Sequence, residues 1–509
     1  MNQQTAIIDL GSNSIRLVIF EISRNGCYRE IQNLKVVARL SSHIDSEGAL
    51  SPEGIGIIKK TLDRFRAVLR QYKVTEVRGV ATAAVRNAAN RSEIEKLLEK
   101  QEGMDFRVLS DREEAFYGYL AIANSTDIND GITIDIGGGS TEITVFQDRK
   151  MKHFHSFPFG ALTLKKRFIK EDRPTSGELK ELNRYLTSSF RSFPWLKKAS
   201  LPLVGIGGSA RNIALVHQNE INYPLAGLHQ FKMSPGEVDG VFSRLKKLPL
   251  KKRQQVDGLS KDRADIILPA IYVISSLLSY TETESYIVSS KGLREGVFFE
   301  SLLKEMETDL FPDVTEESFY QLSQDYSLDE GHHRHISILA ASLYRGMMKA
   351  SREEVCREDL HLLHLAARVF YIGEAVHPEA RSQHTFYLLT NQSIDGLSHS
   401  RRLAVALIAS FRNRSLFKQY AAPYRNWVSK SELSRYEQLG AVLRLAYGLD
   451  RSRLRAVSNV SLIPGDPGRL TLQMDTDKEA YFEEFHAQKY KKHVERAFGR
   501  KIDISSNRH

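Results

Sequence analysis

The sequence predicts an α/β N-terminal half made of two similar domains, an all-α third domain, and a small C-terminal α/β extension. Three observations support this prediction. A segment near the N-terminus recurs in a related form further along the chain, and strand and helix patterns alternate around both copies. From about Phe311 helical periodicity replaces this alternation. We therefore expect domains at residues 1–124, 125–305, 306–455 and 456–509.

The recurring segment comprises residues 9–20 and 135–146, which align without a gap. In each copy an apolar strand ends at an aspartate, and a turn of small residues leads into a second strand. Glycine lets backbone N–H groups approach an oxyanion, serine adds a hydroxyl donor, and an aspartate at a strand end can hold a hydrated divalent cation. Two such turns facing each other would bind a phosphate chain from both sides.

The segment between the two copies continues the α/β pattern. Ser51, Pro52 and Glu53 form a helix start, because they supply a cap, a first-turn proline and an acidic residue for the helix dipole. Strands are predicted at residues 76–82 and 106–109. A third glycine turn at residues 205–211 follows a short apolar strand and precedes a helix.

Two adjacent glutamates follow the strand at residues 106–109. Ser110 and Glu113 have the spacing of a capping box, so Glu113 has a sufficient structural role. Glu114 has no such role. Its alternative interpretation is an ordinary acidic residue in the first turn of a helix.

Near the C-terminus, residues 456–462 and 469–474 are predicted to form a β-hairpin that precedes a basic helix.

Composition excludes several classes of protein. With 509 residues, 41% hydrophobic and 26% charged, the chain is typical of soluble globular proteins and unlike disordered, collagen-like or disulfide-rich ones. Its two cysteines favour a reducing compartment. We expect no signal peptide and no membrane span, and therefore a cytoplasmic protein. The net charge of +10 favours a polyanionic partner, either nucleic acid or polyphosphate.

Four motifs together resemble the Ppx/GppA family of exopolyphosphatases and guanosine pentaphosphate phosphohydrolases. They are DLGSNS at residues 9–14, SDREEA at 110–115, DIGGGSTE at 135–142 and LREG at 293–296. The family belongs to the actin/sugar-kinase/Hsp70 superfamily. The resemblance implies two actin-like (ribonuclease-H-like) domains around a cleft, in which a terminal phosphate is hydrolysed with Mg²⁺ or Mn²⁺.

The resemblance also assigns roles to individual residues. It implies Glu114 as the catalytic residue that orients or deprotonates the attacking water, and Asp135 and Glu142 as metal-associated carboxylates. A cross-strand salt bridge is the alternative for Glu142, and a surface cation at a helix start is the alternative for Arg86. The residues implied in substrate or phosphate binding are Asp9, Gly11, Ser12, Asn13, Arg16, Thr82, Arg86, Gly137, Gly138, Gly139, Ser140, Thr141, Gly208 and Ser209. Arg263 and Arg294 are further candidates for contacts with the anionic chain, and a surface or interdomain ion pair is the alternative for each.

The helical region resembles the HD-like third domain of this family in a degenerate form. An active HD phosphohydrolase needs a His-Asp dipeptide and outlying His and Asp ligands, but this chain has no such dipeptide and carries Phe370 and Tyr371 at the expected position. We therefore expect no second hydrolase site there, and polar or interface roles for the histidines. A segment that contains Arg401, Arg402, Arg412, Arg414 and Lys418 could contact phosphates or form a solvated basic face.

The expected function is that of an exopolyphosphatase that releases terminal orthophosphate from inorganic polyphosphate. Hydrolysis of guanosine pentaphosphate at the same site is the close alternative, because the same motifs serve both substrates. A non-catalytic regulator that binds polyphosphate or nucleotides is the alternative from another class. We expect a homodimer and do not expect nucleic acid as the partner.

Overall fold

The computed structural model describes residues 2–465 and 468–508, which form two compact units. The N-terminal unit contains the residues up to Tyr223 together with Leu228–Val314. The C-terminal unit contains Pro224–Gly227 and the residues from Thr315 onward. No helix of the described residues is long and apolar enough to cross a membrane.

Two mixed β-sheets form the N-terminal unit. The strands of the first sheet are β1 (Gln3–Leu10), β2 (Ser14–Ile22), β3 (Tyr28–Val37), β4 (Glu76–Ala81) and β5 (Asp105–Val108). Those of the second sheet are β6 (Gly131–Ile136), β7 (Thr141–Gln147), β8 (Lys150–Phe157), β9 (Leu203–Ile206), β10 (Phe231–Met233) and β11 (Tyr286–Val288).

The two sheets share one topology. The first has the order β3-β2-β1-β4-β5 and the second the order β10-β11-β9-β6-β7-β8. In each, three consecutive strands pair antiparallel, and the first of them pairs on its other side with a parallel strand. The duplicated α/β fold predicted from the sequence is therefore confirmed.

Helices cover both sheets. They are α1 (Pro52–Gln71), α2 (Ala83–Arg86), α3 (Arg91–Glu99), α4 (Asp111–Ala123), α5 (Ala161–Phe168), α6 (Ser176–Arg191), α7 (Gly207–Glu220), α8 (Pro235–Leu245), α9 (Leu250–Arg253), α10 (Ile267–Thr281) and α11 (Leu293–Glu305). Helix α1 begins as predicted, with the Ser51 hydroxyl accepting from the Gly54 N–H at 3.2 Å. The predicted strand at 76–82 ends one residue earlier, because Thr82 already occupies the N-cap position of α2.

Helices α4 and α11 pack between the two sheets. Leu120 of α4 and Phe298 of α11 share one apolar core with Phe20 of the first sheet and Val204 of the second. The two helices approach so closely that a Cβ at Gly296 would overlap the Tyr117 carbonyl oxygen. This packing holds the ends of β1 and β6 at one shared cavity.

The C-terminal unit is helical up to Gly448 and ends in a small sheet. Its helices are α12 (Val314–Asp325), α13 (Glu330–Ser351), α14 (Arg357–Arg368), α15 (Arg381–Asn391), α16 (His399–Ala409), α17 (Arg414–Ala421), α18 (Lys430–Gly448) and α19 (Tyr481–Phe498). The predicted hairpin and basic helix are present as β12 (Val457–Pro464), β13 (Arg469–Thr476) and α19. A further strand that the sequence did not predict, β14 (Lys501–Arg508), pairs parallel with β13.

Candidate active site

A cavity of about 230 Å³ lies where β1, β6 and β9 end. Most of the residues singled out from the sequence line it. They are Asp9, Gly11, Ser12, Asn13, Arg16, Thr82, Glu114, Asp135, Gly137, Gly138, Ser140, Glu142, Gly208, Arg263 and Arg294. The fold therefore brings three separate glycine turns and Glu114 together around one space.

The first two glycine turns have the same internal geometry. The Gly11 N–H donates to the Ser14 carbonyl oxygen at 3.2 Å, and the Gly137 N–H donates to that of Ser140 at 3.0 Å. Each bond closes a tight turn between two antiparallel strands. The repeat in the sequence is thus a repeat in structure, and both turns line the cavity.

The two copies of the repeat differ in charge at one equivalent position, which is Arg16 in the first copy and Glu142 in the second. Asp9 pairs in register with Arg16, and Asp135 pairs in register with Glu142. Side chains of directly opposed residues lie on one face of a sheet. One turn therefore combines a carboxylate with a guanidinium, whereas the other combines two carboxylates.

The third turn contains two glycines that leave room for charged side chains. Gly207 has φ +82°, and a Cβ there would overlap Oδ1 of Asp135. A Cβ at Gly208 would overlap the Arg263 guanidinium. The glycines thus allow Asp135 and Arg263 to lie directly against the backbone at the start of α7.

The two adjacent glutamates at the start of α4 have different partners. Glu113 forms the predicted capping box: its Oε2 accepts from the Ser110 N–H at 2.8 Å and from the Ser110 hydroxyl at 2.7 Å. Glu114 turns into the cavity, where its Oε2 accepts from Arg86 at 2.7 Å. The Arg86 side chain is only 9% exposed, so it is not a surface cation.

Four buried or partly buried carboxylates line the cavity. Burial raises the pKa of Glu114 to about 7, although Arg86 opposes this shift, and it raises the pKa of Asp9 to about 6. Burial also raises the pKa of Asp135. The pKa of Glu142 lies well above its usual range because of burial and the neighbouring charges of Glu114 and Asp135. Burial is the main cause of all four shifts, and for Asp9 and Asp135 it outweighs the nearby arginines.

Arginines line the same cavity. Arg294 lies 3.8 Å from Oδ2 of Asp9, measured from its Nε. Arg211 was not singled out from the sequence, although it is the last residue of the third glycine turn. Burial, together with Arg294 and Arg211, lowers the pKa of Arg16 to about 10. Arginines clustered in this way can donate charge-assisted hydrogen bonds to phosphate oxygens.

Four of the residues singled out from the sequence do not line the cavity. Thr141 is fully buried, and its hydroxyl donates to the Phe159 carbonyl oxygen at 2.7 Å. Ser209 is buried and accepts from Arg263 at 3.4 Å. Gly139 lies outside the lining, and Arg86 reaches the site only through Glu114. The side chains of Thr141 and Ser209 are therefore placed to support the site rather than to contact a ligand.

The carboxylates suit a magnesium ion bound partly through substrate. Among the described residues, no three His, Cys, Asp or Glu side chains are grouped to hold a metal. Magnesium needs only one or two protein carboxylates when water and phosphate oxygens complete its shell. Oδ1 of Asp9 is buried without a hydrogen-bond partner in the described part of the chain, and Asp135 and Glu142 are register partners. The donor set therefore fits the cation that the sequence resemblance implies.

Phe370 and Tyr371, which stand where the sequence resemblance expects a His-Asp dipeptide, lie in a packed core of the C-terminal unit. Phe370 and Tyr371 are buried with ring centroids 4.0 Å apart, and the Tyr371 hydroxyl donates to the Phe411 carbonyl oxygen. Nearby, Nδ1 of His332 lies 2.7 Å from Oδ2 of Asp450, and both residues are buried.

Two arginines of the basic segment at residues 401–418 are already engaged within the C-terminal unit. Arg402 is 2% exposed and donates to the carbonyl oxygens of Gln392 and Ala226. Arg401 pairs with Glu358. Arg402 is therefore not available to a phosphate chain, because the core of the unit already satisfies it.

Comparisons with known proteins agree with this architecture. The model of the Ppx/GppA phosphatase family matches residues 18–305, and the model of Ppx/GppA phosphatase domain III matches residues 314–492. The crystal structure of the Aquifex aeolicus member of the Ppx/GppA family is 30% identical, with a TM-score of 0.53, over 60% of this chain and 99% of that one.

An exopolyphosphatase from Cytophaga hutchinsonii is 22% identical to this chain. The match has a TM-score of 0.54 and covers 59% of this chain and 98% of the other, which supports the shared actin-like fold. The two family models together cover the actin-like N-terminal half and most of the C-terminal unit. The chain therefore belongs to the Ppx/GppA phosphatase family.

Proposed function

We propose that this phosphatase is an exopolyphosphatase, which hydrolyses the terminal phosphoanhydride bond of inorganic polyphosphate. The observation that carries the proposal is the pair of equivalent glycine turns that line one cavity with Glu114. Phosphoryl transfer depends mainly on positioning and electrostatic stabilisation. A cavity of backbone amides, arginines and carboxylates supplies both.

The turns and arginines would bind the terminal phosphate. Nδ2 of Asn13, in the first turn, is buried without a hydrogen-bond partner among the described residues, so it is free to donate to a phosphate oxygen. Arg16, Arg211 and Arg263 add positive charge around the same cavity. Burial and the neighbouring arginines lower the pKa of Arg16, and a bound phosphate would offset the positive charge around it.

Glu114 would act on the attacking water. Arg86 occupies Oε2, which leaves Oε1 to accept a proton from water as the water oxygen attacks the terminal phosphorus. The bond from that phosphorus to the bridging oxygen breaks, and the shortened chain leaves with both electrons of the bond. The products are orthophosphate and a polyphosphate one unit shorter.

Asp135 and Glu142 would hold Mg²⁺ or Mn²⁺, with Asp9 close to them. When bound, the cation neutralises charge that develops on the phosphate oxygens. The two carboxylates face one another across β6 and β7, so each can serve the same ion directly or through water.

The substrate is tested by measuring phosphate release from long-chain polyphosphate and from guanosine pentaphosphate side by side. We favour polyphosphate because the chain carries a net charge of +10, which suits a long polyanion. The expected result is a higher kcat/KM for polyphosphate. A higher kcat/KM for guanosine pentaphosphate would assign the alternative activity. Binding of either compound without phosphate release, with Mg²⁺ present, would indicate a non-catalytic regulator.

A further inference from the structure

A second cavity lies wholly within the C-terminal unit, and cations dominate its lining. It has a volume of about 690 Å³, which is within the range of small-molecule sites. Arg381, Arg412, Arg444, Lys489, Lys492 and His493 line it, against a single lining carboxylate, Glu379, in the described part of the chain. Arg381 lies in α15, Arg412 in the loop before α17, and Arg444 in α18. Lys489, Lys492 and His493 lie in α19.

Arg444 forms the buried part of this cavity and lacks a counter-ion. It is 7% exposed, donates to the Tyr371 hydroxyl, and lies 4.2 Å from the centre of the Tyr490 ring. No carboxylate of the described residues forms an ion pair with it, and its Nε is buried without a hydrogen-bond partner. A buried charge is costly unless it is paired, so this guanidinium is placed to receive an anion.

Most of the positive charge at the rim of the cavity is also not neutralised by carboxylates. Arg412, Lys489 and Lys492 are exposed, and none of them forms an ion pair with another described residue. Arg381 is the exception, because it donates to Glu374 at 2.7 Å. The same cations act on a neighbouring imidazole: burial is the main cause that lowers the pKa of His493 to about 4, and Arg444 and Lys492 add to it.

We propose that this cavity is a second, non-catalytic site that binds a phosphate-bearing anion. Guanidinium groups match the oxygens of a phosphate in two-point hydrogen bonds, and ammonium groups at the rim add charge without fixed geometry. Several cations around one space favour a multiply charged anion over a single carboxylate. A metal-dependent reaction is not expected there, because Glu379 is the one carboxylate in the lining that the structure describes.

The phosphate-bearing anion could be free orthophosphate or a short polyphosphate chain. Both are tested on the full-length Glu114→Gln variant, in which turnover should be suppressed, with orthophosphate and tripolyphosphate as separate probes. The readout is the pKa of the His493 imidazole, followed by NMR with labelled histidine. An anion beside Arg444 should raise this pKa by roughly one unit or more. The probe with the lower Kd identifies the preferred source.

Two pairs of substitutions separate this site from general charge effects. Lys489→Gln with Lys492→Gln removes two rim cations and should weaken binding at His493 by about tenfold or more. Arg425→Gln with Lys430→Gln removes the same charge at exposed positions outside the cavity and should leave binding unchanged. Arg444→Met should abolish the His493 response, with circular dichroism to verify its fold.

Three results would overturn the proposal. The first is an unchanged His493 pKa with both probes at millimolar concentration. The second is an equal shift with chloride at matched ionic strength, since screening alone would then explain it. The third is a full response in the Lys489→Gln, Lys492→Gln protein. Each of these outcomes leaves the proposed exopolyphosphatase activity unaffected, because that activity is measured at the other cavity.

Discussion

Arg86 joins Glu114 to the backbone at the end of the first sheet. Its Nη1 donates to Oε2 of Glu114 at 2.7 Å and to the Leu109 carbonyl oxygen at 3.0 Å. One guanidinium nitrogen therefore holds a partly buried carboxylate close to the backbone that follows β5. The carboxylate is oriented by a residue 28 positions earlier in the chain.

We expect Glu114→Gln to lower kcat for polyphosphate by about 10²–10⁴-fold, the usual effect of losing a positioned general base. Substrate binding should persist, because the glycine turns and arginines remain. The matched control is Glu113→Gln, which removes a carboxylate from the capping box one residue away. It should lower the free energy of unfolding by about 0.3–1.5 kcal/mol and keep kcat.

The assignment of the two glutamates would be reversed if Glu113→Gln were inactive while Glu114→Gln turned over normally. Steady-state phosphate release and urea unfolding of both variants decide between them.

Arg86→Gln should lower kcat more than it raises KM, since Arg86 touches Glu114 and does not line the cavity. Arg86→Lys should recover part of the activity, because an ammonium group keeps the charge and loses the second contact to Leu109. A change confined to KM would show that Arg86 binds substrate rather than positions Glu114.

Activity should require Mg²⁺ or Mn²⁺, and Asp135→Asn or Glu142→Gln should raise the metal concentration for half-maximal rate by about tenfold or more. The physical reason is that each variant removes one of two carboxylates that are register partners. Glu171→Gln, at an exposed position outside the cavity, is the control. Full activity in excess chelator would contradict the metal role.

Gly207→Ala should reduce activity beyond its cost in stability. A positive φ costs about 1–2 kcal/mol for a residue with a Cβ, and here the Cβ would also displace the Asp135 carboxylate. Gly26→Ala is the control, because Gly26 has the same φ of +82° and a Cβ there would meet no other atom within 4 Å among the described residues. Both variants should lose comparable stability from backbone strain, but only Gly207→Ala should need more metal. Equal metal requirements would show that Asp135 tolerates the displacement.

The stability of the C-terminal unit should fall as pH decreases from about 6.5 to about 4. Burial and His332 lower the pKa of His333 to about 4, so the unfolded state binds a proton in this range before the folded state does. His333→Gln should remove up to about 3 kcal/mol of this dependence. His377→Gln, at an exposed position, should leave it unchanged.

The measurement is urea unfolding at several pH values, followed by tryptophan fluorescence in a Trp195→Phe background. Trp427 is then the sole tryptophan of the chain and reports on the C-terminal unit. An identical slope of unfolding free energy against pH in His333→Gln and wild type would assign the acid sensitivity to other groups.

Much of the fold was predictable from the sequence because its signals are local. The two Asp-x-Gly turns, the capping box of α4 and the start of α1 each involve residues a few positions apart. The conformational freedom of glycine, cap hydrogen bonds and strand alternation all act over a few residues. The structure contains each of the features that they predict. The strand β14 was missed because its sequence, KIDISSNR, is polar at an exposed edge.

For the candidate site, the sequence by itself determined which residue types stand at the ends of strands and which glutamate was free to face a ligand. Only the tertiary structure decided that Arg86 holds Glu114, that Arg211 lines the cavity and that Thr141 faces the core. It also decided that Arg402 is buried and that Arg444 has no counter-ion among the described residues. The physical reason is that these relationships join residues far apart in the chain. Charge and hydrogen-bond partners at that separation depend on how helices and sheets pack, which no local pattern encodes.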